Sequence, residues 1–126
     1  MAHEDSRLMS LVPHPASPAR AVGGVRAGCF VDGDWRLRFT YRIEAAPERL
    51  CWLRHPAAGR RDELWLHTCC EAFVVITPDG YLEFNFSPDG SWAAYAFTAY
   101  RRRRQPDPVL EPPEISVSLE AQGMRL

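Results

Sequence analysis

Apolar and polar residues alternate along much of this chain with a period of two, and no segment carries apolar residues at i, i+3, i+4 and i+7 behind a cap. The cleanest run is Trp35 to Ile43, where Trp35, Leu37, Phe39, Tyr41 and Ile43 alternate with Arg36, Arg38, Thr40 and Arg42. That pattern predicts a strand with one buried face, Trp35 included, and one wet face. The longest patterned block, Leu64 to Tyr100, holds three strand-like runs joined by two near-identical turns, TPDG at 77–80 and SPDG at 87–90. Short, evenly spaced strands with such turns predict an antiparallel meander, in the rhythm of a sandwich or small barrel.

The remaining chain reads in the same way. Arg7 to Val12 is expected to be a short strand, stopped by a Pro-containing loop at 13–18, and Ala21 to Val31 a second extended run. Gly23, Gly24 and Gly28 mark a bulge or a close backbone approach there, and the Asp32-Gly33-Asp34 sequence is a hairpin signal. Residues 44–63 form a long irregular loop containing one short strand, Leu50 to Leu53. Arg101 to Pro113, charged and Pro-rich, is a further loop, and Ile115 to Glu120 the last clear strand. No helix longer than a turn or two is expected, so the fold class is all-β, an antiparallel β-sandwich.

Composition narrows this without redirecting it. A chain of 126 residues with 46% hydrophobic and 25% charged side chains fits one soluble domain, 1–126, with residues 1–6 loose. The formal net charge of −1 supplies no global field for nucleic acid or a membrane surface, so neither is an expected partner. All 15 basic residues are Arg, which removes any lysine nucleophile. The polar start MAHEDSRLMS has no apolar leader segment, which places the protein in the cytoplasm. Cys29, Cys51, Cys69 and Cys70 are then expected as free, buried structural thiols, with Cys69 and Cys70 on opposite faces of a strand. No CxxC spacing exists, and no metal ligand is assigned.

The faces of the meander carry the candidate chemistry. If Asp79-Gly80 and Asp89-Gly90 are two-residue turns, Leu82, Phe84 and Phe86 share a core face with Phe73, Val75, Ala93, Tyr95 and Phe97. The opposite face then carries Glu83, Asn85, Ser87 and Trp92, an aromatic beside a carboxylate and an amide, as suits a sugar. A three-residue turn would instead regroup Glu71 with Glu83 and Asn85. The bland alternative is a wet sheet face on which Glu83 pairs with Arg36 or Arg38. For Glu71 with Glu83 as a glycosidase pair, nothing in the sequence sets the carboxylate separation that the chemistry needs, and Cys69 or Cys70 beside His67 sits too close along a strand to form the oriented pair that activates a thiol. His67 with Met124 offers an axial pair for haem. Arg101 to Arg104 reads as a solvated loop pairing with Asp107 and Glu111 rather than as a nucleic-acid patch.

LVPHP near the start, DELWLHTCCEAFV, and YLEFNFSPDGSWAAYAFTAYR together resemble the bacterial DOMON-like proteins, which are similar to family 9 carbohydrate-binding modules. The resemblance covers about Leu11 to Arg101 and is densest from Leu64 onward. It implies a jelly-roll-like sandwich that binds a ligand and is not an enzyme, with sugars or haem as ligands in the wider superfamily. The family motif falls on Trp65, Thr68, Cys69, Glu71, Phe73, Glu83, Asn85, Ser87, Trp92 and Tyr95, while Cys70 stands where an aromatic is usual. Such proteins continue past the position of Leu126, where this chain reads as opening a strand, so an incomplete sandwich with open edges that self-associates is expected. The ligand-binding candidates are Trp65, His67, Glu71, Glu83, Asn85 and Trp92. The expected function is non-catalytic binding of a small ligand, carbohydrate foremost, with no cofactor; a haem or redox-linked domain and a protein-interaction module are the alternatives.

Overall fold

The computed structural model describes residues 7–17, 20–52, 54–55, 57–120 and 123–126, so the expectation of a loose terminus at 1–6 lies outside the described residues. The all-β class is observed: two antiparallel sheets of five and four strands, with only two single 3-10 turns, Pro47–Arg49 and Leu64–Leu66, among the described residues. No described helix is long and apolar enough to cross a membrane. The chain divides into two compact units, Met1–Leu50 with Val117–Leu126, and Cys51–Ser116.

The first unit holds β1 (Met9–Ser10), β2 (Gly24–Val31), β3 (Leu37–Glu44), β8 (Ser118–Glu120) and β9 (Gly123–Arg125), in the order β1-β2-β3-β9-β8. β2 and β3 pair without interruption from Gly24↔Glu44 to Val31↔Leu37. The glycines of β2 therefore serve close approach and not a bulge: a Cβ on Gly28 would meet Leu8 Cδ2 at 2.9 Å. Tyr41, Ile43 and Met124 are buried on one face of this sheet, as the alternation of 35–43 requires from Tyr41 onward. Trp35 departs from that alternation. It ends a three-residue loop, Gly33 to Trp35, in the left-handed region at φ 60°, and is 90% exposed. Asp32 fixes this loop by accepting the backbone N–H groups of Asp34 and Arg36 on Oδ1, while Arg38 Nε donates to its Oδ2 at 2.8 Å.

The second unit holds the expected meander, β4 (Cys70–Val75), β5 (Tyr81–Phe86), β6 (Trp92–Ala99) and β7 (Arg102–Arg104), paired in chain order. β7 corrects the reading of Arg101 to Pro113 as loop throughout: Arg103 pairs with Phe97 and Arg104 with Ala96, so three of the four arginines extend the sheet. Residues 50–52 are not a strand, and Leu53 lies outside the described residues. The strands read at 7–12 and 115–120 are shorter than expected, Met9–Ser10 and Ser118–Glu120.

Trp92 to Ala96 are buried at every position, which makes β6 the one long strand of this unit with no wet face over that stretch. Leu64, from the short 3-10 turn, packs with Ala93 and Tyr95, with Cys69 and Phe97 beside them. Of the thiols only Cys70 is buried; Cys69 is half-buried and Cys29 and Cys51 are exposed, which corrects the expectation of four buried groups.

The chain's last described strand, β9, pairs with both β3 and β8 and makes the tightest approach in the five-stranded sheet: a Cβ on Gly123 would collide with the Ile43 carbonyl oxygen. Gly123→Ala is therefore expected to push β9 off β3 and to lower stability by about 2 kcal/mol or more. A chemical-denaturation midpoint unchanged in this variant would refute that account of the sheet.

Candidate functional site

The two turns of the meander decide which side chains meet. In the second, the Ser87 N–H donates to the Ser91 carbonyl at 2.8 Å and the Gly90 N–H to the Ser87 carbonyl at 3.0 Å, which leaves Pro88, Asp89 and Gly90 as a three-residue loop. Gly90 takes the left-handed position at φ 91° that such a loop places last. In the first, Ile76 N–H donates to the Gly80 carbonyl and Gly80 N–H to Thr77 Oγ1, so three residues again intervene. Asp89 reinforces its loop by accepting from Ser91 N–H on Oδ1 and from His55 N–H on Oδ2, with His55 Nδ1 2.8 Å from the same oxygen. These bonds hold its carboxyl well below the usual range despite burial.

With both loops odd, the register runs Glu71↔Asn85↔Ala93, Phe73↔Glu83↔Tyr95 and Val75↔Tyr81↔Phe97. One face of the sheet thus carries Glu71, Glu83 and Asn85 with Phe73, Tyr81, Tyr95 and Phe97; the other carries Cys70, Phe84, Phe86 and Trp92. The expected grouping of Trp92 with Glu83 and Asn85 is corrected: Trp92 lies opposite Phe86 on the reverse face and is 7% exposed. The expected core grouping fails at Phe73 and Val75 as well, since Phe73 is 58% exposed.

Three features mark the first face. Its aromatics form a cluster, with Tyr81 stacked on Phe97 at 4.7 Å between ring centroids and Phe73 edge-on to Tyr81 at 6.0 Å. Its two glutamates are both held above the usual carboxylate range, Glu71 by burial and Glu83 by burial and then by the charge of Glu71. Finally, Asn85 beside them is fully buried, and among the described residues neither its amide oxygen nor its amide nitrogen has a partner. A buried amide with no hydrogen bond costs about 1–3 kcal/mol, so the site spends stability that a plain core would not.

Next to this face, Tyr95 donates its hydroxyl to Asp62 Oδ1 at 2.7 Å, and its ring lies under the Arg103 guanidinium at 4.3 Å and near that of Arg60 at 5.4 Å. Asp107 ties the two arginines together, accepting from Arg103 at 2.7 Å and from Arg60 at 2.9 Å. The expected pairing of the arginine run with Asp107 is thus made by Arg103. Arg38, weighed as a partner for Glu83, pairs with Asp32.

Of the other expected site residues, Trp65 is 53% exposed on the 3-10 turn that lies against β5, and His67 follows that turn with a buried Nδ1 that has no partner among the described residues. Burial pushes the Cys69 thiol up to about 12, followed by the charges of Glu71 and Glu83, so it holds its proton at neutral pH. Met124, weighed with His67 as an axial pair for haem, is 1% exposed in β9. The aromatic cluster of Phe73, Tyr81 and Phe97 was not read from the sequence as part of the site. Pro88 was the available signal, because it fixes φ for the first position of a type I turn and so argues for the longer loop. No family model, curated protein or solved structure matches this chain.

The raised glutamates give a pH dependence of defined sign. A carboxyl whose folded value exceeds its unfolded one favours the folded state below the unfolded value and loses that contribution as pH rises through the folded one. Glu83→Gln is therefore expected to raise Tm at pH 7 by about 2 °C and to have no effect near pH 4. A lower Tm at pH 7 would mean that Glu83 is held by an attractive partner instead.

Proposed function

We propose that the chain is a non-catalytic binding domain for a small, hydroxyl-rich ligand, with carbohydrate the class that best suits the Glu71, Glu83 and Asn85 face. The observation that carries this reading is the register that places Glu71 and Glu83, both held above the usual carboxylate range, on one sheet face with the exposed Phe73 ring. A sugar hydroxyl donates to a carboxylate, and the C–H face of a pyranose suits the Phe73 ring and its neighbour Tyr81.

The similarity of Leu64 to Arg101 to bacterial DOMON-like proteins and family 9 carbohydrate-binding modules supports the same reading. Trp65, half-exposed on the adjoining turn, is a natural fluorescent reporter. Trp92, buried on the reverse face, has no part in the proposed site.

Titration with a panel of mono- and oligosaccharides, followed by tryptophan fluorescence, tests the reading. A saturable change is expected for at least one sugar, weakened about tenfold by Phe73→Ala, in line with the loss of one stacking contact. Glu71→Gln is expected to weaken it about tenfold as well, through loss of a charged acceptor. Silence across the panel from a protein that melts cooperatively would remove the proposal, as would undiminished binding by both Phe73→Ala and Glu71→Gln.

A further inference from the structure

The polar face of the five-stranded sheet sorts its charges by row. The registers Ser10↔Arg26, Arg26↔Arg42, Arg42↔Arg125 and Ser118↔Arg125 put five residues in one row across all five strands. Three consecutive members of that row are arginines. Like charges directly opposite one another on adjacent strands oppose pairing, and here the opposition occurs twice in succession.

The next row along the same face runs Gly24↔Glu44↔Gly123↔Glu120. Its carboxylates alternate with glycines. Beside the two rows is a depression of about 360 Å³ lined by Arg26, Arg42, Ile43, Glu44, Glu120 and Gly123. That volume falls at the small end of the range for sites that hold low-molecular-weight ligands.

The carboxylates and backbone orient the guanidinium groups. Arg42 Nη2 donates to Glu120 Oε2 at 3.2 Å, and Arg26 Nη2 donates to the Leu8 carbonyl at 3.3 Å. Both arginines are half-buried, and each has five N–H donors in a planar fork suited to two oxygens of one anion. A lysine would offer a single mobile charge in the same place, whereas this row is built wholly of forks.

We infer that Arg26 and Arg42, at the depression beside this row, form a second ligand site, which binds the oxyanion group of a small molecule, a phosphate or a carboxylate, while Glu44 and Glu120 accept hydrogen bonds from donors elsewhere on that molecule. An anion held by both guanidinium groups bridges β2 and β3, so binding and the pairing of these strands reinforce each other. This site is separate from the glutamate face of the four-stranded sheet and stands whether or not that face binds a sugar.

Calorimetric titration of the whole chain with inorganic phosphate and with lactate tests the inference, with lactamide as the neutral control. At least one of the two anions is expected to bind saturably and to raise Tm by about 3 °C at saturating concentration, beyond the effect of sodium chloride at equal ionic strength. The anion that binds more tightly identifies the headgroup. Arg26→Gln and Arg42→Gln should each weaken binding at least tenfold, and Arg42→Lys, which keeps the charge but not the fork, at least fivefold; Glu83→Gln should leave it unchanged. Should Arg42→Gln fail to fold, Arg26→Gln and Arg42→Lys carry the test. Absence of saturable binding by both anions, a Tm rise reproduced by sodium chloride, or undiminished affinity in Arg26→Gln would each overturn it.

Discussion

Side chains in a strand alternate between faces, so a hairpin loop's length dictates which residues of successive strands can meet. In the four-stranded sheet both loops contain three residues, and everything proposed for that sheet depends on this. The loop at Pro88 to Gly90 is fixed by agreeing local forces: proline sets the first φ, Asp89 accepts the Ser91 and His55 backbone donors, and glycine takes the left-handed position. One residue fewer would send Trp92, in place of Tyr95 and Ala93, to the side of the glutamates. Glu71, Glu83 and Asn85 would then be divided from the tyrosine whose hydroxyl Asp62 accepts.

That constraint also explains why the glutamate face is energetically awkward. Burying β6 on both sides secures the sheet through Leu64, Ala93 and Tyr95, and the same burial desolvates the neighbouring carboxylates and strands the Asn85 amide. The Asp62–Tyr95–Arg103–Asp107 cluster shows that this unit can satisfy polar groups at its margin, with every charge in that chain given a partner. Among the described residues, the buried polar atoms without a partner are spread over this unit, at Arg61, His67, Ser87 and Ser91 as well as Asn85, and Asn85 is the residue with both of its side-chain polar atoms unmatched.

Much of the fold was legible because period-two alternation is a strong signal wherever one sheet face is wet. Leu37 to Glu44 and the meander strands were readable on that ground, as was the absence of helices. The misreadings share a cause in backbone geometry that alternation does not encode. Trp35 continues the apolar pattern by identity but occupies a left-handed loop position, and its exposure follows. Asp-Gly suggested two-residue turns at 79–80 and 89–90, whereas Asp89 does its work as a side-chain acceptor one position before the glycine. Arg102 to Arg104 read as loop because three arginines and a following proline look solvated, yet an edge strand tolerates charge on every residue. The candidate residues Glu71, Glu83 and Asn85 were all identifiable individually; their company was not, since parity was the undecided step.

Net charge was equally informative and equally incomplete. A formal value of −1 argues against a long polyanion, whose binding draws on many phosphate contacts and a field extending over the surface. It does not bear on a small oxyanion, which needs only two or three donors at contact distance. Sequence places Arg26, Arg42 and Arg125 sixteen and eighty-three positions apart, and only the antiparallel registers of β2, β3 and β9 bring them into one row. Because the opposing charges of Glu44 and Glu120 stand in the adjacent row, the sum cancels over a few ångströms while the local pattern survives. A cancelling total can thus conceal two separately sorted chemistries, a carboxylate and aromatic face on one sheet and a guanidinium row on the other, suited to ligands of opposite character.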